Sequence, residues 1–310
     1  MMDQILDIVI VNWNSPILLE SCIASIQRSN IIFPGKLIVV DNSDEKKSLD
    51  FNHSHQIIEC IKPDKNLGFG GGCNLGAAQG QAEFILFLNP DIYFYPATLQ
   101  KLIAFLTSKR LPENVGIVGV QLIGQDGLVQ KNVARFPRFA HLFPRMLALD
   151  RAFPHIFPSH YDKTMPYDQN HIVDQVPGAF FLVRRTLFQQ LGGFDERFFM
   201  YYEDVDFSYR ASLSGWKTLY LAEIAVAHQG GGATESIIDK RLFYVLRSRV
   251  LYTKKHYGYI KSVLVMLGIL LLEFWARCLR AIIHGSKSEL YATIKAYAMF
   301  LHGLPELLRR

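Results

Sequence analysis

Four short apolar runs constrain this chain more than any other feature: Asp7-Ile-Val-Ile-Val-Asn-Trp13, Lys36-Leu-Ile-Val-Val-Asp41, Ile57-Ile58-Glu-Cys-Ile61 and Glu83-Phe-Ile-Leu-Phe-Leu-Asn-Pro-Asp91. Runs that are apolar at nearly every position suit strands buried on both faces, as in a mostly parallel sheet covered by helices. Between the first two, Ser15-Pro16 supplies a cap and a first-turn proline, and Leu18, Leu19, Cys22, Ile23 and Ile26 recur at helical spacing. Strand and helix in alternation predict a doubly wound α/β sheet, whose ligands gather beyond the carboxyl ends of the strands. Asn12, Asn14 and Asp41 lie at those ends.

The fourth run delivers Asp91 directly after its end, behind a proline that fixes the turn. A hard divalent cation that grips a diphosphate needs only one or two protein carboxylates at such a place, although Asn-Pro-Asp also reads as a plain turn. The glycine-rich stretch from Asn66 through Gly68 to Gly76 predicts a helix starting near Gly72, its positive end aimed at an anion, or else a turn with tight helix packing. It fits neither the dinucleotide fingerprint, because Cys73 stands where the last glycine belongs, nor the P-loop, because Ala77-Ala78 replace Lys-Ser/Thr.

Pro96 to about Leu106 reads as a helix, and Val115 to Leu122 as a strand. From Lys131 to about Asp168 the period is lost in a long excursion that covers a site or touches a partner. Val173 to Val183 regains strand character around Pro177-Gly178-Ala179, a place where a ligand or another backbone can come close. Lys217 to Leu221 is a last strand, followed by Ala225-Val-Ala-His228. Between these strands lies Gly192-Gly-Phe-Asp-Glu-Arg-Phe-Phe-Met-Tyr-Tyr-Glu203-Asp204-Val-Asp206, with five carboxylates among aromatic residues. Burying carboxylates there costs several kcal/mol unless each has a partner or a task. A helix from Glu203 to about Leu213, ending near Gly215, would place three of them in its first turn, where the macrodipole favours anions.

At 310 residues the chain is long enough for one large domain or two. The N-terminus has no basic segment before its first apolar run, so a cytoplasmic start is expected. Four scattered cysteines fit reduced thiols and neither a disulfide framework nor a zinc knuckle. The net charge of +5 is uneven: residues 231–310 hold 13 Lys/Arg against 5 Asp/Glu, or +8, leaving 20 against 23, or −3, before them. A basic tail suits anionic lipid head groups or nucleic acid; with no nucleic-acid motif present, lipid is favoured. Val263 to Leu272 is apolar but, at ten residues before Glu273, too short for a membrane span of ~20. The stretch 260–284 reads as an amphipathic helix that lies on a membrane or packs against the body or a second subunit, as in a homodimer.

The set Val11-Asn-Trp-Asn14, Val40-Asp-Asn-Ser43, Asn66-Leu-Gly-Phe-Gly70, Asn89-Pro-Asp91, Pro177-Gly-Ala179, Gly193-Phe-Asp-Glu196, Glu203-Asp204 and His228 resembles family 2 glycosyltransferases, most closely their rhamnosyltransferase-like branch. The resemblance spans roughly residues 5–230, in the family's order. It implies a GT-A fold, a mixed, mostly parallel sheet flanked by helices. Residues 1–230 would form this domain, with a nucleotide-binding half of about 1–100 and an acceptor half of about 101–230, and 231–310 a helical extension. It also implies inverting sugar transfer from a dTDP- or UDP-sugar, with rhamnose one such sugar, to a glycan or lipid-linked acceptor, assisted by Mg²⁺ or Mn²⁺. By position, Val11, Asn12, Asn14, Asp41, Asn66, Gly68, Asn89, Gly178 and Ala179 would line the nucleotide-sugar pocket. Asp91 and His228 would hold the metal, and Asp204, beside Glu203, would be the catalytic base. Asn89 departs from the family's aspartate at the start of the DxD-type motif. That departure keeps a second class open, a non-catalytic nucleotide-sugar or polysaccharide binding subunit. A nicotinamide oxidoreductase is a distant third. The implied location is the inner face of the bacterial cytoplasmic membrane, as a peripheral protein.

Overall fold

The computed structural model describes residues 4–29, 33–44, 58–108, 110–153, 155–157, 160–162, 164–230 and 237–309. In chain order its elements are β1 (Leu6–Asn12), α1 (Pro16–Gln27), β2 (Leu37–Asp41), β3 (Ile58–Ile61), α2 (Gly68–Ala77), β4 (Phe84–Leu88), β5 (Ile92–Phe94), α3 (Thr98–Thr107), β6 (Val115–Ile123), α4 (Phe139–Met146), α5 (Leu149–Ala152), β7 (His171–Val173), β8 (Phe180–Arg184), α6 (Arg185–Gln190), α7 (Glu203–Leu213) and β9 (Lys217–His228). The C-terminal helices are α8 (Ile238–Tyr257), α9 (Tyr259–Gly268), a π-helical turn (Ile269–Glu273), α10 (Phe274–Ile283) and α11 (Lys287–Arg309). The chain divides into two compact units, residues 1–135, 161–196 and 203–233 in the first and 136–160, 197–202 and 234–310 in the second.

The first unit is built on one nine-stranded sheet in the order β3-β2-β1-β4-β8-β6-β9-β5, with β7 also paired to β9. β1 to β4 are mutually parallel, β8 runs antiparallel to β4 and β6, and β9 is parallel to β6. Six of the nine strands therefore point the same way, and the carboxyl ends of β1, β2, β4 and β9 share one rim of the sheet. Every residue of β1, β2 and β4 is buried, because helices cover both faces. One core holds Ile8, Ile10, Leu86, Leu88 and Phe180 with Leu19 and Ile23 of α1; the other holds Val9, Val11, Phe87, Phe181 and Phe207.

Asp7 opens β1 fully buried. It accepts hydrogen bonds from the amides of Lys36 and Ala82 and from Arg185 Nη2, at 2.8, 2.9 and 2.7 Å. Arg185 also donates to the carbonyls of Ala77 and Ala82, so one paired charge ties together the starts of β1, β2 and β4, the end of α2 and the start of α6.

Several boundaries differ from the sequence expectation. α2 starts at Gly68, four residues before Gly72, because Asn66 Oδ1 accepts the Gly68 amide at 2.9 Å and turns the chain early. A Cβ on Gly72 would stand 2.8 Å from Val11, and one on Gly76 2.4 Å from Val9, so both glycines permit α2 to pack directly on β1. The expected strand 173–183 is broken at 174–179, between β7 on β9 and β8 on β4. The last two apolar runs are one strand, β9, in which residues 222–224 bulge where the pairing slips between Leu221 and Ala225. α4 and α5 lie within the excursion 131–168.

In the second unit, Tyr259–Ile283 runs unbroken through the π turn. At 25 residues it is long and apolar enough by length and composition to cross a membrane, and a third of its most apolar window is buried within the protein. The sequence reading stopped this run at Glu273. The helix continues past it, close to the 260–284 expected from the sequence, and the Glu273 carboxylate is buried and paired with Arg249 of α8 and with Arg277 one turn on. All four cysteines are free.

Candidate active site

The first side of the rim is made by β1 and β2. Asn12 Nδ2 donates to Asp41 Oδ1 at 2.9 Å and to Ser43 Oγ at 3.2 Å. The Asn14 amide donates to the same hydroxyl at 2.8 Å, from a residue with φ of 48°. Lys62 Nζ lies 3.1 Å from Asp41 Oδ2. Burial alone raises the Asp41 carboxyl, but the bonds from Ser43, Lys62 and Asn12 outweigh it and hold its pKa below the usual carboxylate range. Asn42 carries this edge to the start of α2, donating to the Gly68 carbonyl at 2.8 Å and accepting the Leu67 amide. Asn66 and Gly68 thus sit beside Asn12, Asn14 and Asp41, with Val11 under α2.

The second side forms where β4 ends. Asn89 to Ile92 is a turn closed by the Ile92 amide on the Asn89 carbonyl, with Pro90 at its second position. It sends the chain into β5, where Ile92 pairs with His228 of β9. Asp91 and His228 meet for that reason: Nε2 of the imidazole is 3.5 Å from Asp91 Oδ2. Gln130 fixes the imidazole. Its Nε2 donates to the His228 carbonyl at 3.1 Å, so its Oε1 faces His228 Nδ1, at 2.8 Å, and accepts that hydrogen. Burial lowers the His228 pKa more than Asp91 raises it, which keeps the ring neutral. The lone pair of Nε2 therefore faces a carboxylate whose other oxygen, Asp91 Oδ1, is buried without a hydrogen-bond partner. Acceptors crowded together with no hydrogen between them call for a cation. A histidine whose far nitrogen donates to a carbonyl oxygen is the usual form of a metal ligand. Among the described residues no group of three or more His, Cys, Asp or Glu could hold a metal. A divalent cation on Asp91 and His228 would complete its shell with waters and ligand oxygens, as Mg²⁺ commonly does.

The third side brings α7. The Asn89 amide donates to the Ala179 carbonyl at 3.0 Å, and the next residue back, Gly178, donates its amide to Asp204 Oδ2 at 2.8 Å. A continuous path of one hydrogen-bonded turn thus links the Asn89–Ile92 turn to Asp204. Asp204 also accepts the Val205 amide at 2.8 Å. A Cβ on Gly178 would stand 3.2 Å from Asp204 Oδ2, close enough that the carboxylate would have to give by a few tenths of an ångström. Burial raises the Asp204 pKa, and its backbone hydrogen bonds only partly offset this. Glu203 is buried with Oε2 lacking a partner, and burial followed by the charge of Asp204 pushes its pKa well above the usual range. Asp206 is spoken for by Arg210, whose Nε lies 2.8 Å away and whose two terminal nitrogens hold the Leu191 and Gly193 carbonyls. Asn74 clamps the same loop through the Phe194 amide and carbonyl and through Glu196. The acidic stretch thus separates into Asp206, which Arg210 neutralises, and Glu203, which is buried, and Asp204, held by the Gly178 amide, neither with a cationic partner among the described residues.

The sequence matches the family model described as Glycosyl transferase family 2 over residues 7–192. The chain belongs to glycosyl transferase family 2. It is a glycosyltransferase of glycan synthesis, similar to the N-acetylglucosaminyl-diphospho-decaprenol L-rhamnosyltransferase of Mycobacterium tuberculosis, at 27% identity over 255 residues, covering 75% of this chain and 78% of the relative. It is similar also to rhamnosyltransferase WbbL of Escherichia coli, at 27% identity over 227 residues, covering 70% of this chain and 81% of that one. In fold it is similar to the mannosyltransferase PcManGT of Pyrobaculum calidifontis, solved with GDP-Man and Mn²⁺, at a TM-score of 0.54 and 12% identity over 96% of this chain and 75% of that one. The GT-A architecture expected from the sequence is the one observed. In this family 2 enzyme the expected residues fall into three hydrogen-bonded groups, Asn12 with Asp41, Asp91 with His228, and Gly178 with Asp204, and Ser43, Lys62, Asn42, Gln130 and Asn74 contact them or the loops beside them. Ser43 stood in the quoted Asp-Asn-Ser motif. Nothing in the sequence marks Gln130, which reaches His228 from a loop 98 residues earlier.

Proposed function

We propose that this enzyme transfers a hexose, with L-rhamnose from dTDP-L-rhamnose as the leading candidate, to a hydroxyl of a lipid-linked or polysaccharide glycan, with inversion at the anomeric carbon. The observation that carries the reading is the hydrogen-bonded path from the Asp91–His228 acceptor pair through Asn89, Ala179 and Gly178 to Asp204. Asp41, held ionised by Ser43, Lys62 and Asn12, accepts hydrogen bonds from the nucleotide base, and the backbone near Asn66 and Gly68 lines the pocket. Asp91 and His228 would hold Mg²⁺ or Mn²⁺. When bound there, the cation offsets the charge that develops on the departing diphosphate.

Asp204 takes the proton from the acceptor hydroxyl as its oxygen attacks the anomeric carbon from the face opposite the diphosphate. Its raised pKa makes it a stronger base than an exposed aspartate, and the Gly178 amide fixes which oxygen faces the acceptor. Glu203, kept neutral by burial, avoids a second negative charge beside the base. Residues 1–230 carry this chemistry, and the basic residues 231–310 serve attachment. The relatives' names favour a rhamnosyl donor and an N-acetylglucosaminyl diphospho-polyprenol acceptor. Incubation with dTDP-L-rhamnose, that acceptor and Mn²⁺ should give a product of inverted configuration by NMR, and EDTA should stop the reaction. Retained configuration, or full activity in EDTA, would overturn the mechanism. Donor binding with no transfer from any nucleotide sugar would leave a non-catalytic binding subunit.

A further inference from the structure

The second unit contains a cavity of about 220 Å³ lined by Arg197, Phe198, Leu251, Lys254 and Lys255. Three of its five lining residues are cations, set over a buried apolar floor of Phe198 and Leu251. Lys255 Nζ lies 5.8 Å from the centre of the Phe198 ring, and Lys254 Nζ 5.6 Å from that of Tyr259. Lys254 Nζ also donates to the Leu307 carbonyl at 3.4 Å, and Glu306 beside it lies 3.8 Å from Arg247. Tyr259 is the first residue of α9, and from it an exposed apolar face runs along the helix through Ile260, Leu264, Leu267, Leu271, Trp275 and Ile282. Ile260 is 75% and Trp275 65% exposed, whereas Ser262, Val265, Ile269, Glu273 and Ala281 on the other face are buried. Glu273, paired with Arg249 of α8, anchors that inner face, so the helix cannot be surrounded by lipid but can lay its outer face in a leaflet.

We propose that the second unit holds the lipid end of the acceptor, with the diphosphate of a polyprenyl-linked glycan in the Arg197–Lys254–Lys255 cavity and its hydrocarbon along the face that begins at Ile260. This rests on the transferase reading and concerns only the lipid end of its acceptor. Charge decides between occupants. A second copy of this chain would bring the same cations, net +8 over residues 231–310, against one another, whereas a polyprenyl diphosphate presents an anion and an apolar chain in one molecule.

The test is direct binding of farnesyl diphosphate, farnesol and inorganic diphosphate to the full chain, with no sugar transfer required. Loss of charge-assisted hydrogen bonds should weaken farnesyl diphosphate binding by about tenfold or more in Lys254→Ala/Lys255→Ala. Lys254→Arg/Lys255→Arg should keep binding close to the parent's, farnesol should bind both alanine and parent proteins equally, and nucleotide-sugar binding should not change. Equal affinity of the parent and the alanine variant for farnesyl diphosphate would overturn the assignment. So would displacement of farnesyl diphosphate by nucleotide sugar, which would place it in the donor site, or by phosphatidylglycerol vesicles, which would make the cavity a phospholipid site. If farnesyl diphosphate binds as expected but no nucleotide sugar supports transfer, the transferase reading fails and the diphosphate site stands.

Discussion

Replacing Gln130 by Leu tests whether Asp91 and His228 form a metal site, because Gln130 touches neither the ligand nor the cation. Gln130 accepts the His228 Nδ1 hydrogen at 2.8 Å and donates to the His228 carbonyl at 3.1 Å; both bonds go, while the volume of the side chain is nearly kept. The imidazole then rotates and changes tautomer freely, so Nε2 no longer faces Asp91 with its lone pair. Loss of such an orienting partner commonly costs 10- to 100-fold in metal affinity, about 1.4–2.7 kcal/mol. Free Mn²⁺ followed by paramagnetic resonance, in the presence of a nucleoside diphosphate, measures the affinity directly. The half-saturating Mn²⁺ for activity should rise by the same factor, with kcat at saturating Mn²⁺ within about threefold of the parent. Gln130→Glu retains an acceptor for Nδ1–H and should bind Mn²⁺ more tightly than Gln130→Leu. Because burial lowers the His228 pKa, protons should compete with the metal only below ~6.5, the ordinary value for histidine. Equal Mn²⁺ affinity in the parent and Gln130→Leu would refute the reasoning, as would a fall in kcat that added Mn²⁺ does not restore.

Other outcomes follow from the same rim. Asp204→Asn should lower kcat by ~10²–10⁴-fold while nucleotide-sugar affinity by calorimetry stays within a few-fold of the parent. In the parent, the acidic limb of kcat should lie above ~3.9, the ordinary aspartate value, because burial raises the Asp204 carboxyl. For Glu203 the sign is set by a folded pKa above the unfolded one: the folded protein binds more protons, so stability falls as pH rises from the ordinary value of ~4.3 through the raised one. Glu203→Gln should therefore melt higher than the parent as pH increases, with the gap in Tm closing below ~4. Asp7→Ala removes one partner of a fully buried ion pair and strands the Lys36 and Ala82 amides, so chemical denaturation should show a loss of about 3–5 kcal/mol.

How much of this was legible in the sequence depends on whether a residue's role is local. β1, β2 and β4 could be read because strands buried on both faces are apolar at every step, and α7 because its caps and period lie within one segment. The place of Asp91 just beyond β4 was legible for the same reason: strand, proline and carboxylate are consecutive. The interruption at 174–179 was not, since Pro177-Gly178-Ala179 sits in an apolar run whose two ends pair with different strands, β9 and β4, and pairing partners leave no mark on the run itself.

The acidic stretch shows where local reading ends. Asp195, Glu196, Glu203, Asp204 and Asp206 look alike in sequence, and the macrodipole favours all three carboxylates of the first turn of α7. Arg210, one turn on in the same helix, neutralises Asp206 at an i,i+4 spacing that the sequence itself carries, but what separates the others is supplied from elsewhere in the chain: Asn74, 122 residues before Glu196, engages that side chain. Gly178 then gives Asp204 an oriented amide, while Glu203 receives no donor to Oε2. Each assignment is a matter of which hydrogen-bond donor arrives, and a donor delivered by tertiary contact has no sequence period. Tyr201 and Tyr202, both with positive φ just before Glu203, belong to the same class: non-glycine residues held in the left-handed region cost of order 1–3 kcal/mol each and persist where the fold over-determines the chain. A strained turn immediately before Glu203 is the kind of feature a propensity reading must miss, because what accompanies it is tertiary: the Tyr202 ring packs against Tyr252, 50 residues on.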